Sequence, residues 1–171
     1  ADPDPSKDTA RYMDQPITPL YAFGHGLSYT DFTYGDIAMS ASDIPAQGGT
    51  VTVSASITNS GDRPGDEVVQ LYMRDPVASV SRPVKQLRGF RRVSLQPGES
   101  CSVSFELSAQ QFALWGRNNK WIVEEGKIEL MIGSSSDDIR SHAAINLSGE
   151  GRGTIAPAAI ETTSTVAGDC Q

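Results

Sequence analysis

The chain has 171 residues, 38% of them hydrophobic, enough to bury one sizeable core and better matched to a single domain with appendages than to two full domains. Its 16 Gly and 10 Pro favour many short elements joined by turns over a few long helices, and no run approaches the roughly 20 apolar residues that span a bilayer. A formal net charge of -7 and a pI of about 4.7 repel phosphate backbones and anionic headgroups, so neither nucleic acid nor a membrane surface is an expected partner.

Residues 1–20 carry four prolines, Pro3, Pro5, Pro16 and Pro19, with little apolar periodicity, and read as an extended strap lying on a surface. Tyr21 to Thr30 then interleaves aromatics with glycines, a pattern for a tight path in which rings dock while Gly24 and Gly26 permit close approach or positive φ. The period changes to two at Phe32, which predicts a first strand from Phe32 to Ser40, ended by Asp43-Ile44-Pro45 and the Gly48-Gly49 turn. Thr50 to Asn59 alternates Val51, Val53, Ala55 and Ile57 against Thr52, Ser54, Ser56 and Thr58, the cleanest strand signal in the chain.

Turn chemistry at Asn59 to Gly65 precedes Val68 to Met73, apolar enough for a central strand, and a proline-flanked loop from Asp75 to Pro83 separates it from a strand over Leu87 to Leu95. After the Gln96-Pro97-Gly98-Glu99 turn, Val103, Phe105 and Leu107 share one strand face, and Ser108 to Gln111 predicts an N-capped turn. Trp115 and Trp121 flank an asparagine turn and predict a hairpin; strands over Ile128 to Ile132 and Ala143 to Leu147 complete the set. Residues 149–171, rich in Gly, Ala, Thr and Ser, read as a linker or loosely held tail. Seven or eight short strands with regular punctuation predict an all-β fold, a two-sheet antiparallel sandwich.

The residues offer little for chemistry. His25 and His142 are the only histidines: His25 lies in a loop whose other features say packing, and His142 has no neighbour at metal-ligand spacing. The local acid pairs Asp66-Glu67, Glu124-Glu125 and Asp137-Asp138 fall at turns or strand ends, without an apolar pocket to drive their pKa values apart. No phosphate-binding glycine motif follows a strand and opens a helix, and neither a metal site nor a cofactor is expected. Two readings stand for Cys101 and Cys170: one disulfide tying the tail to the sandwich, or a small buried hydrophobe and an exposed tail thiol. Tyr34, Tyr72, Trp115 and Trp121 are candidates for a flat platform binding oligo- or polysaccharide, against the alternative that their rings are buried.

The run Tyr12 to Pro16 and Pro19-Leu20-Tyr21-Ala22-Phe23-Gly24-His25-Gly26-Leu27-Ser28-Tyr29-Thr30-Asp31-Phe32 resembles the entry to the C-terminal domain of glycoside hydrolase family 3. The likeness continues through Val68 to Tyr72, Ser79 to Phe90, Leu95 to Glu99, Trp121 with Glu125-Gly126, and Ile132 to Ser135, covering roughly residues 10–148. It implies a fibronectin type III-like sandwich over 32–148, entered by a strap at 1–31 and followed by a tail at 149–171, from a periplasmic or secreted β-glucosidase, with β-xylosidases further off. Such enzymes carry an aspartate nucleophile on a barrel and a glutamate acid/base on an α/β sandwich. Neither motif has a counterpart here, so the resemblance implies a non-catalytic accessory domain whose partners are those two catalytic domains. Under it, Tyr21, Phe23, His25, Leu27 and Tyr29 are candidates for interdomain docking, as are Ser79, Arg82, Lys85 and Gln86, since an arginine fixed beside a proline can fork onto a carboxylate or backbone carbonyls.

Overall fold

The computed structural model describes residues 18–149 and 162–168. One sheet contains β1 (Phe32–Tyr34), β2 (Ala38–Met39), β4 (Thr50–Asn59), β7 (Ser100–Ser108) and β12 (Thr163–Gly168); β1 and β2 share one edge of β4, β7 the other, and β12 lies outside β7. The second sheet runs in the order β3 (Asp43–Pro45), β11 (Ile139–Ser148), β10 (Gly126–Gly133), β5 (Gly65–Arg74) and β6 (Gln86–Leu95). A short hairpin of β8 (Leu114–Trp115) and β9 (Trp121–Ile122) stands apart, and Asn119, with φ of 58°, takes the left-handed position that its turn requires.

Alternation builds the core. On β4, Val51, Val53, Ala55 and Ile57 are all buried; on β7, Cys101, Val103, Phe105 and Leu107 occupy the same face in register with them. Val69, Leu71 and Met73 of β5, with Ile128, Leu130 and Ile132 of β10, face them from the second sheet. Two inward faces interdigitating in this way bury each side chain for about 1.5–3 kcal/mol, and the pattern defines a β-sandwich.

Four elements depart from the sequence reading. The expected strand from Phe32 to Ser40 is two short strands: pairing slips by one residue between Tyr34 opposite Ile57 and Ala38 opposite Ser54, with the Ile37 N–H crossing to Ser141 Oγ at 2.9 Å. Asp43-Ile44-Pro45, read as a terminator, is β3, parallel to β11 at the sheet edge, where proline's missing N–H costs no ladder bond. The turn after Ser108 is a 3-10 turn over Ala109–Phe112, and the Ser108 side chain does not cap it. Within the supposed tail, Thr163–Gly168 pairs with β7 from Glu106 to Cys101. Alternation signals were weak there because an edge strand of Thr, Ser and Ala needs only its backbone to pair.

Candidate functional site

β5 is buried on both faces from Val69 to Met73. Val69, Leu71 and Met73 point into the core, while Gln70 and Tyr72 point outward beneath the strap and are only 5% and 1% exposed. Gln70 Nε2 donates to Gly24 O at 3.1 Å and to Ser134 O; Tyr72 Oη donates to Gln70 Oε1 at 2.5 Å and lies 3.4 Å from Phe23 O. The Ser136 N–H donates to the same Phe23 carbonyl at 2.9 Å, and the His25 N–H closes a turn onto Ala22 O at 3.0 Å. Gly24, at φ 81°, lies so close to Gln70 that an added Cβ would collide with Oε1.

The strap is thus held by its backbone while its apolar side chains face outward. Leu20, Tyr21, Phe23, Leu27 and Tyr29 are between 67% and 94% exposed, and Tyr21 meets the exposed His25 ring with centroids 5.2 Å apart. On the sheet beside it, Val68 and Phe90 are also exposed. Between strap and sheet runs a cleft of about 700 Å³, whose far wall holds Tyr34, Glu67, Asp138 and Arg140. Few monomeric surfaces leave so many large apolar side chains together without a partner.

Charge in that wall is paired. Tyr34 Oη donates to Glu67 Oε1 at 2.9 Å, and the Arg140 guanidinium lies over the Tyr34 ring and against Asp138. Burial pushes the Glu67 carboxyl up despite the Tyr34 hydrogen bond, whereas Ser94 and Arg92 hold Asp66 below its usual value. Arg140, followed by Ser134, does the same for Asp138. The expectation that no local acid pair is split by its surroundings therefore fails for Asp66 and Glu67. Adjacent strand residues point to opposite faces, one to solvent and one into the wall. Among the described residues no group of three His, Cys, Asp or Glu side chains is arranged to hold a metal ion.

The loop candidates turn inward. Arg82, read as free to reach another domain, is an almost buried side chain paired with Asp75 at 3.1 Å; it also donates to Phe112 O at 3.1 Å and to Gln86 Oε1 at 3.0 Å. The Ser79 N–H donates to Glu124 Oε2, and Lys85 Nζ to Ser136 O. These contacts stitch the loop to its own sandwich, leaving Val77 and Val84 exposed.

Of the sugar-platform candidates, Tyr72 is enclosed and works through its hydroxyl, and Tyr34 is half-buried against Glu67, so neither offers a free face. Trp115 is 51% exposed and meets Trp121 edge-on at 5.5 Å across the hairpin. His142 is exposed on β11. Cys101 is a buried core residue, and Cys170 lies outside the described residues.

Gln70 and Asn59 went unread in sequence. The signal for Gln70 was a polar residue inside an apolar strand, which must find partners once buried. Asn59, assigned to a turn, is fully buried: its Oδ1 accepts from Thr30 Oγ1 at 2.8 Å and from the Gly61 N–H at 3.1 Å, and its Nδ2 donates to Arg63 O and Leu95 O at 2.7 and 3.0 Å.

Residues 67–136 match the fibronectin type III-like domain family. A periplasmic β-glucosidase of Salmonella typhimurium is 43% identical over 136 residues, 80% of this chain and 18% of that protein; a β-xylosidase of Formosa agariphila is 44% identical over 137 residues, 79% and 18%. A solved β-glucosidase from Erythrobacter marinus superposes with a TM-score of 0.75 at 43% identity, over 84% of this chain and 19% of its own. The chain spans under a fifth of the length of each of these proteins. Sandwich topology, the strap motif and these likenesses agree: the chain belongs to the fibronectin type III-like domains that glycoside hydrolase family 3 enzymes carry.

Proposed function

We propose that this domain is the non-catalytic buttress of a periplasmic or secreted β-glucosidase, and that its strap face docks against the catalytic domains of the same polypeptide. The observation that carries this is the strap itself: five large apolar side chains turned outward by a backbone pinned to Gln70, Tyr72 and Ser136. Docking removes them from water at about 25 cal/mol for each Å² buried. The parent chemistry, release of terminal non-reducing β-D-glucosyl residues, is supported by the β-glucosidases among its relatives, and belongs to domains that supply the nucleophile and the acid/base.

The test compares this chain with the full parent polypeptide. The parent is expected to turn over 4-nitrophenyl β-D-glucoside and the purified chain to give no turnover. In the parent, combined Phe23→Ser, Leu27→Ser and Tyr29→Ser substitutions are expected to lower the melting temperature and separate this domain's unfolding from that of the rest. Turnover by the chain alone, or an unchanged single transition in the triple variant, overturns the proposal.

A further inference from the structure

Away from the strap, a pocket of about 360 Å³ opens between the 79–86 loop, the 3-10 turn and the tryptophan hairpin, at the lower end of the roughly 300–1,000 Å³ range of small-molecule sites. The charged residues lining it are Arg82 and Arg88. Asp75 neutralises Arg82, while Arg88 has only the neutral Gln86 Oε1, 2.7 Å from its Nη2, and no carboxylate among the described residues. Its Nε–H is buried without a hydrogen-bond partner, and so is Oε1 of Gln111, a residue 91% removed from solvent. Gln111 is oriented by its neighbours: Thr162 Oγ1 donates to Arg88 O and accepts from Gln111 Nε2 at 3.2 Å, which leaves Oε1 as a free acceptor. Burial, aided by Arg82, pushes the Arg88 guanidinium down to about 10, as expected of a cation without a counter-charge.

One lining therefore offers an unmatched cation, an orphan donor, an orphan acceptor and an exposed indole. We propose that this pocket binds a carboxylated sugar, the uronate unit of an acidic saccharide, with its carboxylate on Arg88, a ring hydroxyl donating to Gln111 Oε1, and its apolar face against Trp115. A neutral sugar would satisfy the donor and acceptor but leave the charge unmatched. An Asp or Glu side chain from a protein would match the charge, but when ionised has no proton for Gln111. A uronate supplies both, and buried polar atoms left unpaired cost roughly 1–3 kcal/mol each. This inference is independent of strap docking.

The experiment titrates the 171-residue chain with D-glucuronate, D-glucose and acetate, a carboxylate without a donor, following the indole NMR signals of Trp115 and Trp121. D-glucuronate is expected to shift both saturably with a millimolar Kd, and the other two to bind roughly tenfold more weakly, the worth of one charge-assisted hydrogen bond. Arg88→Met should weaken glucuronate by roughly tenfold without lowering the melting temperature, since it removes an unpaired buried charge. Gln111→Glu, which adds a carboxylate to the pocket lining that Arg88 shares, should abolish binding while the fold is kept. Equal response to glucose, equal response to acetate, no response to glucuronate, or undiminished binding in both pocket variants each overturns the proposal.

Discussion

Single polar side chains decide where this sandwich is tied together. Asn59 joins the strap, the turn after β4 and the end of β6 through four hydrogen bonds made with no exposure to water. Asn59→Ala leaves buried donors and acceptors orphaned and is expected to destabilise the chain by about 2–4 kcal/mol, measured by urea denaturation. Asn59→Asp is no rescue, because a second oxygen would face the Arg63 and Leu95 carbonyls. Glu67 makes a pH-dependent contribution of known sign. Its carboxyl is raised by burial, so the stability tied to the protonated form is present at low pH and lost as pH rises through its folded value. Glu67→Gln still accepts from Tyr34 and cannot ionise. Its melting temperature relative to the unsubstituted chain is expected to climb between pH 4 and 7, by thermal melts across that window.

At the level of elements, the informative ones are those without apolar alternation. β12 pairs six residues with β7 and brings Thr162 against Arg88 and Gln111. At Gly89, opposite, a Cβ would lie 2.9 Å from the Phe105 ring and 3.1 Å from Thr162 Cβ, so β6, β7 and the entry to β12 meet too closely for a side chain. Ending the chain at residue 149 removes this strand and uncovers the edge of β7. It should lower the urea midpoint and accelerate amide exchange from Cys101 to Glu106, while exchange in β10 and β11 changes least. At Gly24, positive φ and the approach of Gln70 coincide, so Gly24→Ala should free the strap without disturbing the core. The expected readout is faster amide exchange at His25 and Ser136, with the melting temperature falling by only a few degrees.

For the whole molecule, the exposed strap and the net charge of -7 act against each other. Like-charged copies repel, but the repulsion weakens as salt shortens the Debye length from about 10 Å at 0.1 M to about 3 Å at 1 M. The isolated chain is therefore expected to self-associate increasingly with salt, as followed by sedimentation velocity. The Phe23→Ser, Leu27→Ser, Tyr29→Ser variant should remain monomeric throughout. Under the proposed docking this face is covered in the parent polypeptide, and the full protein is then expected to lack the salt response.

Read alone, the sequence determined the all-β architecture, because β4 and β7 alternate cleanly enough to assign inward faces without a structure, and the Tyr21 to Phe32 motif placed the strap and its family. It also marked Trp115 and Trp121 as hairpin partners, since an asparagine-rich turn between two aromatics admits few other arrangements. It could not reveal that Arg82 turns inward to Asp75, that Tyr72 is enclosed beneath the strap, or that residues 163–168 form a strand. Those outcomes depend on partners brought close only by folding: Gln70 and Gly24 are 46 positions apart, Arg88 and Thr162 74. Alternation is a local property of the backbone and survives in one dimension. Whether a polar side chain is paired, orphaned or exposed is a property of neighbours, and the tertiary structure supplies them.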